Sequence, residues 1–133
     1  MSQLIKDIAA HLAKQREQSK LVRSTTNYCC AYRGEGKTMC AVGCLIPDEI
    51  YHPIMEGMSI GSIFGAYSQV EEHIYKKYGV TEGPESEAVY RSLRRAQRYH
   101  DSYRYTHMIQ EFAGRSDEEF AQAIEETIME VQV

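Results

Sequence analysis

Ser116-Asp117-Glu118-Glu119 sets a capping hydroxyl three residues ahead of a carboxylate, and an apolar stripe follows at Phe120, Ala123, Ile124, Thr127, Ile128 and Val131. This capping box followed by helical spacing leaves the last segment little choice but an amphipathic helix that must bury one face. The opening segment reads the same way: Ser2 is a candidate N-cap, and Leu4, Ile5, Ile8, Ala9 and Leu12 repeat at helical intervals before the chain turns polar at 14–20. At 133 residues the chain is long enough for one such core, read as a single domain over 1–133.

Between these ends the pattern changes. Leu21 to Cys30 is rich in Val, Thr and Tyr, which favour extended structure. Gly34-Glu35-Gly36-Lys37 reads as a turn between the runs Asn27–Arg33 and Thr38–Ile46, which predicts a central β-hairpin within 21–46. An irregular crossover over 47–67 follows, with Ser59 to Ala66 as a loose turn because Gly61, Ser62 and Gly65 are poor helix formers. Helices fill 68–133. Ser68 caps Gln69 to Tyr78, Gly79 stops it, and 80–86 is a linker. A helix over 87–101 has Val89, Leu93, Ala96 and His100 on its core face, and a short helix covers 106–113. The expected class is therefore α+β: N-terminal helix, central β-hairpin, helical C-terminal half.

Gly36-Lys37-Thr38 has the ending of a phosphate-binding loop, but Ala31 stands where that loop needs glycine, and a strand-like run follows instead of a helix. The expected reading is a hairpin turn with an exposed Lys. Cys29, Cys30, Cys40 and Cys44 fall within 16 positions, which suits reduced thiols better than the dispersed cysteines of a secreted scaffold. With the turn centred between Glu35 and Gly36, Cys29 opposes Val42 and Ala31 opposes Cys40. Cys29, Cys40 and Cys44 then share a face and Cys30 takes the other. Three thiols with His52 make a weak metal-ligand set, because no tight C-x2-C pair is present; burial as small hydrophobes is the expected role. No metal and no cofactor is predicted.

For catalysis, His100-Asp101 is the best candidate pair, but neighbours on a helix point apart, so no dyad is expected and no catalytic residue is assigned. The surface signal is stronger. Arg91, Arg95 and Arg98 recur at helical spacing, with Arg94 beside them and Arg104 beyond, and Tyr90, Tyr99, Tyr103 and Tyr105 interleave. Arg and Tyr together suit protein hot spots and equally suit phosphate contacts with base stacking. The predicted partner-binding residues are Arg91, Arg94, Arg95, Arg98, Tyr99, Tyr103 and Arg104.

Net charge is −4, but residues 1–37 and 91–109 are basic while 38–90 and 110–133 are acidic. That excludes a uniformly basic nucleic-acid coat and leaves opposed faces or internal neutralisation. No apolar run reaches the length of a membrane span, so no membrane partner is expected.

Cys30-Ala31-Tyr32-Arg33-Gly34, then Met39-Cys40-Ala41-Val42-Gly43-Cys44-Leu45-Ile46-Pro47-Asp48, Tyr51-His52-Pro53 and Met55-Glu56-Gly57, resemble a family of small uncharacterised proteins of tailed bacteriophages. Its pattern is C-x-Y-R-G, then K-C-A-x-G-C-L-I-x-D-x-x-Y-x-P-x-x-E-G. A later L-x-x-L-Q-x-x-H-D is loosely echoed by Tyr90, Leu93, Arg94, Gln97, His100 and Asp101. The resemblance implies an accessory protein in the cytoplasm of an infected bacterium and carries no activity across. Together these readings favour a non-enzymatic protein that binds a host protein, to counter host defence or redirect host metabolism. The alternatives are a nucleic-acid or nucleotide binder using the Arg/Tyr helix face, and a thiol-metal protein.

Overall fold

Six α-helices carry the chain in the computed structural model, which describes residues 2–22, 28–81 and 83–133, without the side chains of Ser2, Val22, Tyr28 and Cys29. The helices are α1 (Ser2–Gln15), α2 (Ile60–Ala66), α3 (Ser68–Tyr78), α4 (Pro84–His100), α5 (Tyr103–Glu111) and α6 (Asp117–Glu130). The terminal stripes meet as their spacing requires. α1 packs along α6 more extensively than any other pair, burying Leu4, Ile5, Ile8 and Leu12 against Phe120, Ile124 and Ile128. Each such side chain contributes about 1.5–3 kcal/mol on full burial, so this pair anchors the core. α4 crosses both and buries Val89, Leu93, Ala96, Tyr99 and His100.

Local signals account for the ends. Ser116 Oγ accepts the Glu119 N–H at 3.1 Å, closing the predicted cap of α6. Gly79 ends α3 in the left-handed conformation, φ 64°. Pro84 opens α4, three residues before the expected start, since its fixed φ and missing N–H suit a first helical turn. Two expectations fail here. Ser68 lies inside α3 rather than capping it, and 60–66 is a helix, capped by Ser59 Oγ on the Ser62 N–H at 3.1 Å. Burial of Ile60, Ile63 and Phe64 on one face outweighs the glycines.

The α+β class with a central hairpin is not what forms: the molecule is mostly helical. Extended pairing among the described residues is confined to β1 (Lys20–Val22) and β2 (Tyr28–Cys30), antiparallel with Lys20 opposite Cys30, and one isolated bridge, Arg33 to Met39. That bridge is one residue out of the expected register. Beyond it the chain does not run on as a strand; Cys40 to Leu45 coils into tight turns.

Helix side chains take the backbone groups that a strand partner would have used. Gln15 of α1 receives the Met39 N–H on Oε1 (2.9 Å) and donates Nε2 to the Met39 carbonyl (3.0 Å). His11 Nε2 donates to the same carbonyl at 2.9 Å, and Gln97 of α4 accepts the Val42 N–H at 3.2 Å. Gly43 then sits against the Tyr32 carbonyl, where a Cβ would fall 2.0 Å from the oxygen. Every residue from Cys40 to Val42 is fully buried. Such a run lacks the polar alternation of a half-buried strand, and its hydrogen bonds decided the outcome.

Candidate functional site

His100 is the last residue of α4, and Asp101 caps it at φ −79°, ψ −4°. At that terminus the two side chains turn toward each other, and His100 Nδ1 lies 2.7 Å from Asp101 Oδ1. The expectation that these neighbours form no pair is therefore wrong: Asp101 keeps helical φ/ψ and its N–H still donates to the Gln97 carbonyl at 3.0 Å, yet the two side chains reach each other. His100 is fully buried, and its Nε2 accepts the Ser19 N–H at 2.9 Å. An acceptor at Nε2 puts the proton on Nδ1, which donates to Asp101. Gln97 Nε2 donates to the same Asp101 oxygen at 3.1 Å, while Gln97 Oε1 is held by Val42. The carboxylate is thus fixed by two side chains, each itself fixed by a backbone amide. Its other oxygen, Oδ2, makes no hydrogen bond among the described residues.

This carboxylate faces an open cleft of about 700 Å³ between α4, β2, the 57–60 segment and the last residue. Cys30, Tyr32, Tyr90, Arg94, Arg98 and Ser102 line it with Asp101. Tyr32 Oη donates to the Met58 carbonyl and Arg98 Nη1 to the Gln132 carbonyl, both at 2.5 Å, which fixes two of its walls. The Arg94 guanidinium lies 5.9 Å from the Tyr90 ring centre. The cleft gathers residues distant in sequence, near Cys30 and near Asp101.

Cys30, His100 and Asp101 offer ligand atoms within 4.8 Å of one another. A metal does not fit them. A neutral imidazole that ligates through Nδ1 carries its proton on Nε2, where the Ser19 N–H already points. The expected weak set fares no better: among the described residues Cys40, Cys44 and His52 do not converge, and the Cys29 side chain lies outside them. Cys40 is fully buried, which pushes its thiol pKa up, and burial pushes Cys44 up to about 12. His52 spends its Nδ1 capping the Ile54 N–H at 3.1 Å.

The arginines spread over several faces. Arg94 and Arg98 border the cleft, and Arg91 and Arg95 border a groove against α6 with Ile5, Glu125 and Met129. Arg91 and Arg94 share a further hollow with Phe64 and Tyr90, and Arg104 lies with Arg98 beside Thr127. Among the described residues none of Arg91, Arg94, Arg95, Arg98 and Arg104 forms a salt bridge. The α6 carboxylates pair elsewhere, Glu125 with Lys6 (3.2 Å), Glu119 with Arg115 (2.6 Å) and Asp117 with Arg16 (3.2 Å). Of the predicted tyrosines, Tyr103 is exposed and stacks on His107, but Tyr99 is buried with Oη on Met108 Sδ and presents nothing to a partner. Asp101, weighed with His100 as the best candidate pair and then set aside, and Cys30, placed on the face opposite the other thiols, are the site residues left out of the predicted set. The adjacent His-Asp at a helix end was the available signal.

Glu56 centres a brace beside the cleft. Glu56 accepts the N–H groups of Tyr32 (2.9 Å) and Arg33 (3.0 Å) and the Tyr51 hydroxyl (2.5 Å). Arg33 pairs with Asp48 and lies over the Tyr51 ring. Comparison of the chain with protein-family models, curated proteins and solved structures finds no match.

Proposed function

We propose that this is a non-enzymatic binding protein whose α4 arginines recognise an acidic surface of another protein. The observation that carries the reading is that, among the described residues, none of Arg91, Arg94, Arg95, Arg98 and Arg104 forms a salt bridge, although the chain as a whole is acidic. A solvated helix face needs no such concentration of one sign, and Arg is favoured at interfaces for its planar donors. The exposed Tyr103 adds contact area at the same end. A catalytic reading finds less support: both His100 nitrogens are engaged, so the imidazole holds Asp101 and has no lone pair free to take a proton.

The resemblance to tailed-phage proteins supplies the setting, an accessory protein in the cytoplasm of an infected bacterium that binds a host protein to counter defence or redirect metabolism. No helix among the described residues is long and apolar enough to cross a membrane. The test is affinity capture from infected-cell lysate with wild type, with Arg91→Ala/Arg95→Ala/Arg98→Ala and with Arg91→Ala/Arg95→Ala, alongside thermal melts of each. We expect a defined acidic partner to be lost with the triple variant while the melting temperature falls only modestly, since the exposed Arg91 and Arg98 contacts contribute about 0–1 kcal/mol each and Arg95 is half-buried. Undiminished capture by the triple variant sinks the reading. A steep salt-dependent shift on DNA or RNA would move it to nucleic acid instead.

A further inference from the structure

A surface cleft that merely collects side chains does not hold a carboxylate by two supports that are themselves tied to the backbone. Asp101 Oδ1 accepts from His100 and Gln97, and these are locked by the amides of Ser19 and Val42, 81 and 55 residues away in sequence. With Oδ1 fixed, Oδ2 remains the acceptor of a partly exposed side chain that lines the cleft. Arg98 and Arg94 stand about one and two turns back along the same helix and line the same cleft. Neither has an ion-pair partner among the described residues, and Arg98 commits only Nη1, to the Gln132 carbonyl.

We propose that the cleft binds a hydroxylated phosphate monoester, with the phosphate on Arg94 and Arg98 and a hydroxyl donating to Asp101 Oδ2. Two guanidiniums match a doubly charged phosphate, which accepts forked N–H donors from more than one side. The carboxylate repels that dianion and takes a neutral donor instead, so ligand polarity is set from end to end. Ser102, whose hydroxyl donates to the Tyr99 carbonyl at 2.6 Å, keeps oxygen lone pairs available beside Asp101. The volume of about 700 Å³ lies within the usual range for small-ligand sites. A free sugar phosphate and the ribose phosphate of a nucleotide share this chemistry; the nucleotide adds a flat base that could reach Tyr90.

Isothermal titration with ribose 5-phosphate, adenosine monophosphate, 2-deoxyribose 5-phosphate and inorganic phosphate tests the proposal. We expect saturable 1:1 binding of ribose 5-phosphate, weaker binding of inorganic phosphate, and a loss of about tenfold or more for Arg94→Ala. Asp101→Asn keeps Oδ1 as the acceptor for His100 and Gln97 but turns the cleft-facing atom into a donor. It should weaken ribose 5-phosphate about tenfold and leave inorganic phosphate unchanged or tighter. Tighter binding of the nucleotide assigns the ligand to that source; equal affinities assign it to sugar phosphates. Failure of both organic phosphates to bind with Kd below about 1 mM overturns the proposal. So does binding indifferent to Arg94→Ala and Asp101→Asn, or inorganic phosphate binding as tightly as the sugar phosphate. Arg91 and Arg95 lie outside this cleft, so sugar-phosphate binding kept in Arg91→Ala/Arg95→Ala while partner capture is lost, or the reverse in Arg94→Ala, separates failure here from failure of the protein-binding reading.

Discussion

His100 Nδ1 sits 2.7 Å from the carboxylate of Asp101, the next residue in the chain, with the imidazole fully buried and the carboxylate at the surface. The pair couples the hydrogen-bonding interior to the cleft, because the far nitrogen of the same ring holds the Ser19 N–H. Replacing His100 by Ala leaves that buried amide unsatisfied and Asp101 without its main support. We expect a loss of about 3 kcal/mol, since an orphaned donor costs about 1–3 kcal/mol and the vacated ring adds a cavity. In a chain of this size that lowers the melting temperature by roughly 10 °C, which thermal denaturation would show. An unchanged melt would mean the pair is incidental.

The thiols should react unequally. Cys30 is partly exposed at the cleft, Cys40 is fully enclosed, and burial pushes the pKa of both Cys40 and Cys44 upward. Alkylation with iodoacetamide near neutral pH, mapped by fragment mass spectrometry, should mark Cys30 well before Cys40 or Cys44. Labelling of Cys40 at a comparable rate in native protein would contradict the burial described.

Acid should weaken the fold through His11. Burial lowers its pKa, outweighing the bond from Nε2 to the Met39 carbonyl, and nearby His100 lowers it further. A His whose folded pKa lies below its unfolded value binds fewer protons when folded. Its contribution is fully present above the unfolded value of about 6.5 and is lost as pH falls from there toward the folded pKa. Melting temperatures should therefore fall between about pH 7.5 and 5.5, and the slope should flatten in His11→Gln, which keeps a donor but does not titrate. A slope identical in both proteins would place the effect elsewhere.

Gly43→Ala should cost about 2–3 kcal/mol, because the added Cβ falls 2.0 Å from the Tyr32 carbonyl oxygen and backbone must move to admit it. Gly65→Ala is the matched control: nothing lies within 4 Å of the position, so helix propensity alone should leave it neutral or slightly stabilising. Equal melting temperatures for the two variants would remove the close approach as an explanation.

How far the sequence reached depended on where each segment found its hydrogen-bond partners. α1, α4 and α6 satisfy their backbones internally, so apolar spacing and local caps were enough to place them. Leu4 to Leu12, Val89 to Ala96 and Phe120 to Ile128 are buried on the predicted faces, and Ser116 caps as its sequence says. The 28–46 stretch has no such autonomy. Its apolar, cysteine-rich residues are compatible with a strand, but Gln15, His11 and Gln97 take up the backbone of Met39 and Val42 from distant helices, and the hairpin is lost.

The candidate site divides along the same line. Sequence spacing alone determined that the second half of α4 carries a dense set of arginines. Tertiary structure decided which of them share a cleft and which face α6, because the α6 carboxylates are drawn to Lys6, Arg16 and Arg115. It also decided the state of Asp101. Neighbours on a helix tend to point apart, and here distant segments hold the donors in place: Ser19 fixes the His100 ring and Val42 fixes Gln97, and both side chains donate to one Asp101 oxygen.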